Sequence, residues 1–96
     1  MTGSKSIKMH FIYILQCADD TLYVGYTTDL ERRLYAHNNL KSGAHYTKIR
    51  RPVELKYSEK FRSLSKALKR EHEVKGLTRE QKLKLFNTEV NLTFLK

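Results

Sequence analysis

The sequence predicts a small α/β (α+β) domain in which a strand hairpin and a later third strand share one chain with three helices. Three observations carry that expectation. Two short tyrosine-bearing apolar runs, Phe11 to Leu15 and Leu22 to Gly25, are separated by turn residues; a helix-start signature follows them at once; and two further helical patterns come after an alternating run at Val53, Leu55 and Tyr57. Ninety-six residues with 40% apolar content suit a single compact core.

Phe11 to Cys17 is apolar on both alternating faces, with Phe11, Tyr13 and Leu15 on one side and Ile12 and Ile14 on the other. That pattern fits a central strand covered on both sides. Ala18-Asp19-Asp20-Thr21 reads as a turn, because Asp accepts bonds from nearby amides and tolerates unusual dihedrals. Leu22 to Gly25 returns as the hairpin partner. An odd loop length would put Tyr13 and Tyr23 on one face and a two-residue loop would separate them, so the letters leave this open.

Thr28-Asp29-Leu30-Glu31 has the capping-box spacing, predicting a helix from about Asp29 to Leu40 whose apolar stripe runs Leu30, Leu34 and then His37, with Arg33 beside it. Ser42-Gly43-Ala44-His45 ends that helix and opens a basic loop closed by Pro52, ahead of the strand of Val53, Leu55 and Tyr57. Ser63 is the expected N-cap of a second helix with the core face Leu64, Ala67, Leu68, Glu71 and Val74, stopped at Gly76. Thr78 to Gln81 starts a third helix, with Leu83 and Phe86 facing in, and Val90 to Phe94 alternates as a strand or docked tail would.

Nineteen Lys and Arg against ten Asp and Glu give a formal charge of +9, a surface field that favours polyanions, nucleic acid first among them. The excess is clustered: Lys48, Arg50 and Arg51 in one loop, and Lys66, Lys69 and Arg70 on one helix, are the expected nucleic-acid contacts. Cys17 is the only cysteine, which excludes an intramolecular disulfide or a cysteine-rich zinc site and points to a reducing cytoplasm, free or with the nucleoid. Residues 1–9 are polar, as a mobile leader would be and a signal peptide would not, and no run approaches membrane-spanning length.

Arg33 and His37, one helical turn apart, can act on one small group. The guanidinium offers a fork for phosphate oxygens, and the imidazole donates a hydrogen bond or moves a proton near neutral pH. Glu71 within an apolar stripe is either a partner of Arg70, Lys75 or Arg33, or a ligand for one mostly hydrated Mg²⁺ or Mn²⁺ ion; a two-metal site would need more core-facing carboxylates than this chain offers. Tyr13 and Tyr23 are packing residues or proton-relaying phenols, and Gly25 marks either a close approach or a bulge.

Phe11-Ile12-Tyr13, Tyr23-Val24-Gly25, the Thr27 to Arg33 stretch with His37, and Ala67 to Lys75 with its Arg70-Glu71 stand in the order and spacing of the GIY-YIG endonuclease superfamily. From about Phe11 to Leu85 the chain resembles its small single-domain bacterial branch, with Phe11 in place of the first motif's glycine and Tyr26 where some relatives carry a basic residue. The resemblance implies a three-stranded antiparallel sheet flanked by helices, with residues 1–9 a leader, 10–87 the nuclease-like domain and 88–96 a tail or extra strand. It implies a metal-dependent DNA endonuclease leaving 5′-phosphate and 3′-hydroxyl ends. A short domain with one basic loop suits single-stranded or branched DNA in processing or repair, or else targeting by a partner protein. Tyr23 is then the general base, Tyr13 assists the proton relay, Glu71 holds one Mg²⁺ or Mn²⁺ ion, Arg33 stabilises the transition state, and His37 supports phosphate or proton traffic. Asn87 is the only nearby candidate for the asparagine that several relatives use. The alternative implied by the same fold is a catalytically weak nucleic-acid-binding module that needs a partner protein.

Overall fold

The computed structural model describes residues 8–86. Most of the expected leader, Asn87 and the alternating tail lie outside these residues. The elements run β1 (His10–Cys17), β2 (Leu22–Thr27), α1 (Leu30–Asn39), α2 (His45–Lys48), β3 (Val53–Phe61) and α3 (Leu64–Lys75), followed by a helix α4 over the described residues 79–86. The three strands form one antiparallel sheet in the order β2-β1-β3, so the doubly apolar run is indeed the central strand.

The two faces of that sheet are covered differently. Ile12, Ile14 and Val24 pack with Ala67 and Val74 of α3, and Leu85 and Phe86 of α4 close the same cluster. Tyr13, Leu15, Cys17 and Val53 point the other way, against Leu30 and Leu34 of α1, Tyr23 and Tyr46. The strand β3 joins this arrangement through a bulge, because Ile14 pairs with Tyr57 and Leu15 with Leu55, leaving Lys56 as the extra residue.

The β1–β2 turn fixes which tyrosines share a face. Cys17 accepts from the Asp20 amide at 2.8 Å and donates its own amide to the Thr21 carbonyl at 2.8 Å, closing a tight loop in which Asp20 has φ 68°. Aspartate tolerates that left-handed conformation better than most residues. The resulting register sets Tyr13 opposite Gly25 and Leu15 opposite Tyr23, so both phenols project toward α1.

Helix ends follow local chemistry with one shift. Asp29, rather than Thr28, is the N-cap of α1 and accepts from the Arg32 amide at 3.1 Å; the carboxylate is as good an acceptor as the hydroxyl one position earlier. Ser63 caps α3 as expected, and Thr78 and Gln81 exchange both bonds of a capping box at the start of α4. The expected α3 core face is corrected in part: Ala67 and Val74 are buried, whereas Leu64 and Leu68 are 46% and 42% exposed. The segment 45–48, read as loop, forms the single helical turn α2. No helix among the described residues is long and apolar enough to cross a membrane.

Candidate active site

Tyr13 is 2% exposed although it carries a hydroxyl, and a buried polar group persists only where it finds a partner. Its Oη lies 2.8 Å from His37 Nε2, an imidazole that is itself 0% exposed. The other ring nitrogen, Nδ1, lies 2.8 Å from Thr47 Oγ1, and the Thr47 hydroxyl donates to the Ala44 carbonyl at 2.9 Å. Three polar side chains from β1, α1 and α2 therefore form one continuous chain of hydrogen bonds beneath the sheet face.

Gly25 explains how the phenol reaches that position. A Cβ at residue 25 would overlap Oη and Cζ of Tyr13, so the ring lies across the bare backbone of β2. Of the two readings of this glycine, the close approach is the one observed, and the approaching group is the Tyr13 phenol. Gly43 plays a related part behind α1, where a Cβ would overlap the Ala36 carbonyl oxygen and crowd the His37 Cα.

Tyr23 packs its ring edge-on to His37, with centroids 5.2 Å apart, and stacks on Tyr46 at 5.8 Å. Arg50 lies over the Tyr46 ring at 3.9 Å. Unlike Tyr13, Tyr23 is only half-buried, so its phenol borders solvent. Arg33 shares an apolar cleft with Tyr13, Leu15, Leu30, Leu34 and Leu55, and donates from Nη1 to the Ser42 carbonyl at 3.1 Å. It also borders an open hollow of about 460 Å³ lined by Thr27, Thr28, Arg32 and Ser42 among others, which gives a polyanion access to this guanidinium.

Electrostatics separate the roles of these groups. Burial pushes the Tyr13 phenol up to about 12, the Arg33 guanidinium beside it pulls it down, and the charges of Tyr23 and Glu71 push it up again. Burial likewise holds His37 down at about 4, helped by the cationic Arg33 and Arg51. At neutral pH the phenol keeps its proton and the imidazole is neutral. The pair thus orients a proton and does not store one. His37 is fully buried, and both of its ring nitrogens have partners.

Glu71 stands on α3, with its side chain 18% exposed and Oε2 3.3 Å from Lys75 Nζ. Of its expected partners, the structure selects Lys75, while the carboxylate charge still reaches Tyr13. The donors this region offers a divalent cation are hard oxygens, one carboxylate and two phenols, and among the described residues no group of three or more His, Cys, Asp or Glu is assembled. A single carboxylate fits one largely hydrated Mg²⁺ or Mn²⁺ ion, which keeps most of its water, and does not fit a protein cage.

Four of the six expected nucleic-acid contacts have partners within the fold. Arg51 spends its guanidinium on the end of α1, donating from Nε to the His37 carbonyl and from Nη2 to the Leu40 carbonyl, both at 2.6 Å. Arg70 grips Glu59 through Nε at 2.9 Å and Nη2 at 3.0 Å, and reaches Glu73 at 3.2 Å. Arg50 donates to the Tyr46 carbonyl at 3.1 Å and pairs by charge with Asp19, the Nε–H axis pointing away from the carboxylate. Lys48 donates to the Lys41 carbonyl at 3.0 Å. Carbonyls and carboxylates of the fold thus orient these four cations. Lys66 and Lys69 stand exposed on α3. The residue that sequence reasoning missed is Thr47, which it placed in a strand-binding loop; its one local signal is a small hydroxyl residue following the Gly43-Ala44 turn, ten positions after His37.

Comparison with known proteins gives the family of the chain. Residues 9–84 match the family model described as the GIY-YIG catalytic domain. A UPF0213 protein of Staphylococcus saprophyticus is 55% identical over 78 residues, covering 81% of this chain and 94% of the relative. A UPF0213 protein of Natronomonas pharaonis is 53% identical over 76 residues, covering 79% of this chain and 88% of the relative. The solution NMR structure of a UPF0213 protein from Bacillus halodurans, 41% identical, superposes with a TM-score of 0.55 over 83% of this chain and 84% of that one. The NMR structure of a protein from E. faecalis, also 41% identical, gives 0.58 over 93% and 90%.

Proposed function

Because the chain belongs to the GIY-YIG catalytic-domain family, a nuclease superfamily, we propose that it is a DNA endonuclease that uses one Mg²⁺ or Mn²⁺ ion to hydrolyse phosphodiester bonds to 5′-phosphate and 3′-hydroxyl ends. The observation that carries the reading is the hydrogen-bonded chain from Tyr13 through His37 to Thr47, built beneath Tyr23 and Arg33 at a cost in buried polarity that packing alone does not require.

In this reading Tyr23 is the general base. Its Oη, once the phenol has released its own proton to solvent, takes a proton from the attacking water, and the neutral His37 ring against it adds no positive charge to resist the transfer. Tyr13 points its proton at His37 Nε2, which leaves the lone pairs of its Oη turned toward Arg33 and the reacting groups. Arg33 is pinned through one nitrogen to Ser42 and offers the rest of its fork to the charge that develops on the phosphorane oxygens. Glu71 holds the cation, which when bound polarises the scissile phosphate and neutralises the leaving oxygen.

Single-stranded or branched DNA, met in processing or repair, is the substrate class we assign. Lys66 and Lys69 with the hollow beside Arg33 supply phosphate contacts, and no element among the described residues is free to read a groove over many base pairs. A second reading, a binding module acting with a protein partner, is favoured by one observation: the Glu71 carboxylate is already paired with Lys75.

The test is a panel of labelled single-stranded, duplex, flap and junction DNAs incubated with Mg²⁺ or Mn²⁺, using the protein and its Glu71→Ala variant. The nuclease reading expects cleavage that falls at least about 100-fold in the variant while DNA affinity holds. Cleavage of no DNA form by the unaltered protein, or equal cleavage by both, would overturn it, and unchanged binding without turnover would select the second reading.

A further inference from the structure

We infer that Thr47 is a positioning residue of the proposed nuclease, its hydroxyl fixing the His37 ring in the Nδ1–H tautomer so that Nε2 is left to accept from Tyr13. The inference deepens the nuclease reading and rests on it for its catalytic half. The structural half follows from counting hydrogens.

The Ala44 carbonyl has no proton to give, so the Thr47 hydroxyl at 2.9 Å must be the donor in that bond. Its lone pairs are what remain for His37 Nδ1 at 2.8 Å, and Nδ1 must therefore carry the ring proton. A neutral imidazole has only one, so Nε2 is an acceptor and Tyr13 the donor across the 2.8 Å contact. The far end of the chain is compatible with this, since Arg33 near the phenol carries only donors and cannot accept the Tyr13 proton.

The rest of the segment between His37 and β3 acts on the same residue. Gly43 lets the backbone press against the His37 Cα, and Arg51 takes the His37 carbonyl. Asn38 exchanges two bonds with the Val53 backbone, Nδ2 donating to the carbonyl at 3.1 Å and Oδ1 accepting from the amide at 2.8 Å. These contacts fix the place of the ring, but only Thr47 touches a ring nitrogen other than the one that serves Tyr13. For metal-ligating histidines an outer partner that orients the ring is typically worth about 10–100-fold in affinity or activity, and the same order is expected here.

The deciding experiment compares Thr47→Val, which keeps the size and removes the hydroxyl, with Thr47→Ser, which keeps the hydroxyl. Two-bond ¹⁵N–¹H correlation spectra should show His37 with a pyrrole-type Nδ1 and a pyridine-type Nε2 in the unaltered protein and in Thr47→Ser. In Thr47→Val the two signals should move toward each other as the ring loses its preference. Cleavage kcat should fall about 10–100-fold in Thr47→Val with KM for DNA within about twofold, and Thr47→Ser should recover most of it. Unchanged His37 signals in Thr47→Val overturn the inference, as does an equal loss of kcat in both variants, which would assign the effect to packing. If the unaltered protein cleaves no DNA, the nuclease reading fails by itself and the His37 signals still decide whether Thr47 sets the tautomer.

Discussion

Ile12 and Ile14 leave β1 on one side and join an apolar cluster drawn from β2, β3, α3 and α4, whereas Tyr13, the residue between them, leaves on the other side and meets an imidazole, with a guanidinium and a second phenol close by. One strand thus serves two purposes on alternate residues. The α3 face can be judged by volume and apolar area alone. The α1 face cannot, because each polar group there is satisfied only by a particular neighbour at a particular angle, and one deletion strands the next group in the chain. Substitutions on the first face should therefore act on stability and those on the second on geometry and charge.

The largest effect belongs to the apolar face. Ile14→Ala opens a cavity at a residue that is 0% exposed and should cost about 2–5 kcal/mol of unfolding free energy, read from denaturant melts. Cleavage per folded molecule should stay within about twofold. A variant with intact stability or a specific loss of turnover would break the division between the faces.

Acid should attack the other face. His37 has a folded-state pKa of about 4 against 6.5 for the free group, so the unfolded chain takes up the proton first as the pH falls. The stability that this group contributes is complete above about 6.5, is lost progressively as the pH drops toward 4, and changes no further below that. The loss amounts to about 3 kcal/mol. Melts of the protein and of His37→Phe across this range should differ in slope in that direction, since carboxylates titrating nearby affect both alike. Parallel slopes would mean that the buried imidazole carries no such penalty.

Next in size is Gly25→Ala. The added Cβ would overlap the end of the Tyr13 ring, and moving a phenol that holds His37 should cost about 1–3 kcal/mol of stability, with cleavage falling by more than this strain alone explains. Pairing it with Tyr13→Phe sharpens the point. If displacement of the hydroxyl is the cause, the double variant should lose little more than either single one, a result that kcat ratios read directly.

What the sequence made legible follows the same division. Strand β1 as a doubly covered centre, the Ser63 and Thr78 caps and the Gly76 stop all depend on residues within four positions of one another, and local chemistry suffices for them. The common face of Tyr13 and Tyr23 was not legible, because it turns on a three-residue loop that Asp20 closes with a positive φ. Thr47 was missed because its partner, His37, is ten residues away and reached only after the chain reverses at Gly43. Leu64 and Leu68 had the right spacing for a buried stripe, yet the sheet is only three strands wide and α3 buries a narrower face at Ala67 and Val74.

The smallest expected effects concern the cations, where letters say least. An arginine and an exposed lysine look equally suited to phosphate, but a guanidinium has enough donors to hold several carbonyls or a carboxylate at once, and Arg51 and Arg70 are used in that way. Of the six expected contacts, Lys66 and Lys69 each present a single ammonium on an exposed helix face, suited to exchange counterions for DNA. Replacing both by Gln should lower DNA affinity modestly and flatten the dependence of log K on log salt by about 1–2 in slope. Arg51→Gln should leave that slope unchanged and instead destabilise the fold by about 1–2 kcal/mol, through the carbonyls it abandons at the end of α1. Salt titrations of binding and melts of both variants give four numbers that must divide in this way. An Arg51 variant that flattens the slope without loss of stability would return that residue from the frame of His37 to the surface that meets DNA.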